Sequence, residues 1–364
     1  MKSDLKRQSW FEQNPKKTWL IIIIFGLFFS EIILRIIDPG ILRFIYNFRK
    51  AYEYNGNGYM DLKPNIRTYV AIDKPFLNFV LTTNKYGFRD YDRPLDYYPS
   101  GSVDSILNDK ETIIIHALGD SLTMGWGVDY SCSYPALLDS LLKKNYRVLN
   151  LGVDGFGAIA ATEKSRALWQ KFPAKYSLYL FCYNDFEDDL TVIERRGRSS
   201  LFHYLMETIC YLRTRSYLFD IPFSIKWYLT YRNVNYNITT DRDYKGFKLH
   251  DNNDLIQPDY NNIEKDTNLT RKISEDKYKF TIQALTEYNN FVKNNGGKFI
   301  VLAEDSPNAR ILFRLCRAHN IDIKLFTMPG KQAYLRNEGH FSQLGNYLLA
   351  RFIYKEIIKP EAKE

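Results

Sequence analysis

Four short stretches of this chain carry residue types suited to acyl transfer by a serine. That chemistry needs a nucleophile, a base to take its proton, an orienter for the base and donors for an oxyanion. Ser121, in Gly119-Asp120-Ser121-Leu122, is the candidate nucleophile. Gly155, in Gly152-Val153-Asp154-Gly155-Phe156-Gly157, lets the backbone approach a ligand closely and aim an N–H at it; the same glycines also suit an ordinary turn. Asn184 offers a side-chain N–H donor, and the adjacent Asp185 reads as a helix cap. His340, in Asn337-Glu338-Gly339-His340-Phe341-Ser342, is the candidate base. The acidic run Glu187-Asp188-Asp189 reads as support for a helix N-terminus rather than as a metal site.

These residues need a frame that brings them together. Ile113-Ile114-Ile115-His116-Ala117-Leu118 is a β-branched run ended by glycine, hence a buried strand. Ser121 follows it, and Leu137, Leu138, Leu141 and Leu142 then recur at helical spacing. A serine at such a junction sits at the ligand-binding edge of an α/β sheet, near the free N–H groups of a helix start. Strands are expected at 112–118, 146–151, 177–183 and 298–303, and helices at 133–144, 158–171, 272–295, 308–319 and 343–358. This alternation predicts a parallel sheet with helices on both faces. Gly155 and Asn184 then follow the second and third strands, and His340 precedes the final helix.

The remaining organisation follows from composition. Residues 1–17 are polar and carry Lys2, Lys6, Arg7, Lys16 and Lys17, and read as a cytoplasmic tail. Residues 18–37 are apolar enough to cross a bilayer, with Glu31 and Arg35 four apart near the far end. With no small-residue cleavage site after the run, an uncleaved single-pass anchor in the inner or cytoplasmic membrane is expected, the rest lying outside the cytoplasm. Residues 38–110 are an aromatic-rich lead-in expected to pack on the main domain, with short strands near 69–72 and 76–82. The main domain spans 111–360 and is interrupted at about 191–270 by an aromatic, then polar, insertion. The insertion's aromatic helices can cover the site, touch the membrane or form a packed excursion. A net charge of +8 is spread among acidic residues with no dense basic block, which argues against nucleic-acid binding. Cys132, Cys182, Cys210 and Cys316 form no disulfide framework or metal-ligand pattern, and most read as core residues. His116, His203, His250 and His319 lack motif context and read as structural or surface residues.

Taken in order, Gly119-Asp120-Ser121-Leu122, Gly155, Asn184-Asp185 and His340 resemble the four sequence blocks of the SGNH hydrolases, also called the GDSL esterase/lipase family. The resemblance covers about 111–357 apart from the insertion. The anchor, the Asn84-x-x-Gly87-Phe88-Arg89 lead-in and Gly125-Trp126-Gly127-Val128 are similar to membrane-anchored bacterial members. The resemblance implies a flavodoxin-like three-layer α/β/α fold and a serine esterase working without cofactor or metal. Ser121 would attack the ester, His340 would act as base, and Ser121, Gly155 and Asn184 would hold the oxyanion. The family usually has Asp three residues before the histidine, in some branches two. Here those positions are Asn337 and Glu338. Glu338 is the expected orienter, with Asn337, Glu304 and Asp305 as alternatives and a Ser–His dyad as the remaining one.

The substrate class implied is an acyl ester, with removal of O-acetyl groups from an envelope polysaccharide as the expected role beside a membrane. The same residues serve an O-acetyltransferase that delivers the acyl group to a glycan hydroxyl. An inactive domain that binds glycans or supports an assembly is the reading from another class.

Overall fold

The computed structural model describes residues 9–72, 77–91, 111–142, 145–231, 255–260, 263, 275–335 and 339–361. The apolar run forms α1 (Pro15–Ile37), which ends where Asp38 takes a left-handed conformation before Pro39. Next come α2 (Gly40–Lys50), β1 (Tyr52–Tyr54), β2 (Met60–Leu62), β3 (Arg67–Ile72) and β4 (Leu77–Thr82). β1 pairs antiparallel with β2, and β3 with β4. The β1–β2 pair was not foreseen, since its strands have three residues each, too few to show a period.

The main domain then alternates as expected. β5 (Ile113–Gly119) leads into the one-turn α3 (Ser121–Met124) and α4 (Tyr134–Leu141). β6 (Tyr146–Asn150) leads into α5 (Ala158–Leu168), and β7 (Ala174–Phe181) into α6 (Asp185–Arg196). α7 (Ser200–Arg213) and α8 (Tyr217–Tyr231) follow from the insertion, whose polar remainder is described only at 255–260 and 263. The alternation resumes with α9 (Glu275–Asn294), β8 (Lys298–Glu304), α10 (Pro307–Ala318), β9 (Asp322–Phe326) and α11 (Gln343–Ile353).

The five strands are parallel in the order β6-β5-β7-β8-β9. Counted along the chain this is 2-1-3-4-5, the flavodoxin-like order. The fold is therefore doubly wound α/β. β9 was not anticipated: it is an edge strand with Asp322 exposed and Lys324 half-buried, so no continuous apolar run marks it.

Side chains of the sheet alternate between two buried layers. Ile114, Leu118, Phe299 and Val301 join one layer with residues of α5, α9 and α10. Ile115, Ala117, Ile300 and Leu302 join the other with residues of α4 and α11. Because both faces are covered, these strands read as unbroken apolar runs rather than as alternating ones. His116 is a core residue: its Nδ1 lies 2.7 Å from Ser165 Oγ, and burial pushes its pKa down to about 3. All four cysteines are free thiols, and Cys182 and Cys316 are buried.

The lead-in is pinned to the main domain by polar contacts. Lys164 of α5 donates to Asp61 Oδ1 (2.5 Å) and to the Gly87 carbonyl (3.0 Å). Arg89 bridges to Thr83 on one side and to Asn150, at the end of β6, on the other.

Candidate active site

β5 ends at Gly119 with φ +143°, where a Cβ would lie 2.5 Å from Thr123 Oγ1 and 2.7 Å from the Leu180 carbonyl. Only glycine lets the chain turn that sharply out of the sheet. Asp120 caps α3 by accepting the Leu122 N–H at 2.8 Å. Ser121, 6% exposed, is the first residue of that helix. Its Oγ is 2.8 Å from His340 Nε2 and 3.3 Å from Asp120 Oδ2. The fold thus joins two residues 219 positions apart at hydrogen-bond distance. With the ring proton on Nδ1, Nε2 is the acceptor that a serine proton needs. Burial raises the Asp120 carboxyl above the ordinary range, partly offset by the Leu122 N–H and by His340.

His340 is carried by a narrow return of chain. Leu335 N–H donates to the His340 carbonyl at 2.7 Å, and Tyr334 bridges Phe341. Ser342 then caps α11 by accepting the Gly345 N–H at 3.3 Å. Trp126 lies beside the imidazole, ring centres 5.9 Å apart, and His340 Nδ1 is buried.

The second and third strand ends pack against the serine turn and against each other. A Cβ on Gly152 would lie 2.3 Å from Met124 N, so the loop after β6 presses directly on α3. Gly155 stands at the exposed tip of this loop with φ +74°, the turn closed by Phe156 N–H on the Val153 carbonyl (3.1 Å). Asn184 takes the N-cap position of α6, and its Nδ2 donates to Asp188 Oδ2 at 2.6 Å. Burial is the main cause that raises Asp188 to about 7, with Asp120 and Asp154 adding to it.

Of the acidic residues, Asp185 departs from expectation, while Glu187 and Asp188 lie in the first turn of α6 as expected. Asp185 is not the helix cap. It is fully buried and reaches back to the strand end, accepting Tyr179 OH (2.5 Å) and Cys182 N–H (2.9 Å). Asp189 supports a helix other than its own, because its Oδ1 accepts the Ile159 N–H at the start of α5 (2.8 Å) and its Oδ2 accepts Thr281 Oγ1 (2.5 Å). Among the described residues no group of three or more His, Cys, Asp or Glu is placed to hold a metal ion.

Glu338 and Asn337 lie outside the described residues. The alternatives from β8 have other uses. Glu304 accepts the Tyr334 hydroxyl, and Asp305 forms a two-pronged ion pair with Arg310 (2.7 and 2.8 Å).

The sequence reading missed two residues of this region. Arg89 is fully buried and donates to the carbonyls of Met124 (2.6 Å), Gly125 (2.5 Å) and Val128 (2.6 Å). It therefore clamps the chain leaving α3, and Asn150 Nδ2 adds a further bond to the Met124 carbonyl (3.3 Å). Burial lowers its pKa to about 10, so it stays charged at neutral pH. In the sequence Arg89 stands out only as part of the Asn84-x-x-Gly87-Phe88-Arg89 motif. Asp188 was legible in principle, since Asn184 and Asp188 stand at the i,i+4 spacing of a helical side-chain pair.

No family model matches the chain, and no curated protein sequence matches it. Among solved structures the chain is similar to TesA, at 12% identity over 68% of this chain and 98% of that one, with a TM-score of 0.37. It is also similar to the psychrotrophic esterase EstA from Pseudoalteromonas sp., at 11% identity over 69% and 99%, TM-score 0.37. A third is the aryl esterase of M. smegmatis, at 11% identity over 68% and 99%, TM-score 0.35. Similarity of this degree establishes neither a family nor an activity, and the fold rests on the strand order and layers described above.

Proposed function

We propose that this protein is a serine ester hydrolase of the SGNH type, with Ser121 as nucleophile and His340 as general base. The observation that carries the proposal is the 2.8 Å contact between Ser121 Oγ and His340 Nε2 at the edge of a doubly wound sheet. His340 takes the serine proton as Oγ attacks the ester carbonyl. It then returns the proton to the leaving alcohol and activates water for deacylation. The oxyanion is held by the N–H groups of Ser121 and Gly155 and by the Asn184 amide. Asn184 Nδ2 has two protons, so the bond to Asp188 occupies one and leaves the other for substrate. Glu338, two residues before His340 in the sequence, is the proposed orienter of its ring.

α1 anchors the domain, and the five basic residues before the span keep the N-terminus cytoplasmic and the hydrolase outside. An enzyme tethered there reaches the acyl esters of envelope polysaccharide, and O-acetyl groups are the proposed substrate.

The test is fluorophosphonate labelling of the full chain and, on a separate unlabelled sample, incubation with an acetylated glycan. Adduct on Ser121 and release of free acetate are expected. Folded protein that takes no label overturns the hydrolase, and acetate moved onto a second glycan instead of water makes it a transferase.

A further inference from the structure

We infer that α7 and α8 form a second membrane contact, lying in the outer lipid interface beside α1 and tied there by Glu31. The inference rests on α1 being a membrane span. The most apolar 18-residue window of that helix has a mean hydropathy of 2.6 and no residue buried in the protein. Glu31 precedes the helix end at Ile37 by about 9 Å at 1.5 Å per residue. A carboxylate at that depth needs partners.

Those partners are the corner between α7 and α8. Glu31 accepts Ser216 Oγ (2.9 Å) and the backbone N–H groups of Tyr217 (3.1 Å) and Leu218 (2.9 Å). It thus caps the start of α8 from another helix. Arg35, paired with Glu31 at 2.7 Å, donates to the Arg215 carbonyl at 2.6 Å. Tyr217 OH donates to Asp38 Oδ1 at 2.9 Å, and Tyr217 packs edge-on against Tyr46. The corner is therefore held at the depth of Glu31, inside the outer end of the span.

From that corner both helices present apolar side chains outward. Leu201, Tyr204 and Leu205 of α7 are 65, 65 and 48% exposed, at the spacing of one helix face. Phe219, Phe223 and Ile225 of α8 are 36, 38 and 52% exposed. Phe219 and Phe223 adjoin the corner that Glu31 and Arg35 tie to α1, and the α7 side chains lie about 12 Å or more along that helix from it at 1.5 Å per residue. The occupant of this face is accordingly the lipid that surrounds α1, with aromatic rings at the interface level. Arg215, exposed in the same corner, suits anionic headgroups.

The experiment places the photo-crosslinking residue p-benzoylphenylalanine at Phe25 of α1, Leu205, Phe223 or Lys175 in the full chain. Each variant is reconstituted in vesicles of phosphatidylcholine and phosphatidylglycerol. Lys175 is exposed at the opposite end of the sheet from the insertion. Lipid adducts are expected at Phe25, Leu205 and Phe223, and at least tenfold less at Lys175. An adduct at Phe25 with none at Leu205 and Phe223 overturns the inference while leaving the anchor intact. Crosslinking of those two sites to a second copy overturns it in favour of a dimer. No adduct at Phe25 removes the anchor and the inference together, without bearing on labelling of Ser121. Glu31→Leu keeps α1 apolar but unties α8. It should cut the Phe223 adduct several-fold and leave the Phe25 adduct unchanged; an unchanged Phe223 adduct overturns the role of Glu31.

Discussion

Ser121 and His340 meet at one point, yet the chain around each is held differently. The serine turn is enclosed. Asp120, Ser121, Leu122, Thr123 and Met124 are all buried, and Arg89, Asn150 and Gly152 press on the turn from two other loops. The histidine is half-buried, on a return held by the Leu335–His340 backbone bond and the Tyr334–Phe341 bridge. The first region belongs to the core, and loss of the groups that brace it, Arg89 above all, costs stability as well as rate. The second is a delivery loop, and a lesion there should cost rate alone. In this reading the nucleophile is fixed by the fold and the base is brought to it.

Removing either reacting group should give the largest effect. Ser121→Ala and His340→Ala are each expected to lose about ten-thousandfold or more in kcat, since the two groups act as a unit. Their thermal midpoints should stay within about a degree or two of the parent, as expected where no buried network is broken. Turnover assays with thermal melts check both, and a large loss of stability in His340→Ala would break the comparison.

Asn184→Ala should follow, with a loss of about a hundredfold in kcat and little change in KM, as expected for a donor acting in the transition state. A change confined to KM would assign Asn184 to ground-state binding instead.

Arg89→Met sharpens the contrast most directly. It leaves the carbonyls of Met124, Gly125 and Val128 without their buried donor. Each such group costs about 1–3 kcal/mol. The midpoint should fall by several degrees and kcat by roughly tenfold, while KM hardly moves, because the damage is to the position of Ser121. Arg89→Lys should recover part of both. A variant that is fully stable yet inactive would separate Arg89 from the rigid frame.

The smallest effect is on the pH dependence of stability. Burial raises Asp188 and Glu304 to about 7 and Asp139 and Asp189 to about 6. The folded protein therefore keeps protons that the unfolded chain releases near pH 4. Their contribution is greatest below that point and is lost as pH rises through 6 and 7. Denaturant titrations from pH 4 to 8 should show declining stability, with a shallower decline in Asp188→Asn. An equal slope in that variant would show that Asp188 is not among the groups responsible.

The legible part of this protein is the part encoded locally. Ile113 to Leu118 is a strand because β-branched residues recur without a break. Gly119 forces the turn that follows, and α1 carries an unbroken apolar run from Trp19 to Phe29. Ser121, Asn184 and His340 could be singled out because each lies at an element boundary that such patterns reveal. The pairings were decided by tertiary structure. Arg89 meets carbonyls about 36 positions away, Asp189 caps a helix 30 positions before it, and Glu31 caps one 187 positions after it. Asp185 turned inward because Tyr179 and Cys182 offered buried donors, where local sequence favoured a cap. β9 became a strand because β8 offered an open edge to a segment too short and polar to declare itself. A residue's type states which bonds it can make. Which partner it finds depends on what chain closure brings within about 3 Å, and burial then makes that choice costly to undo.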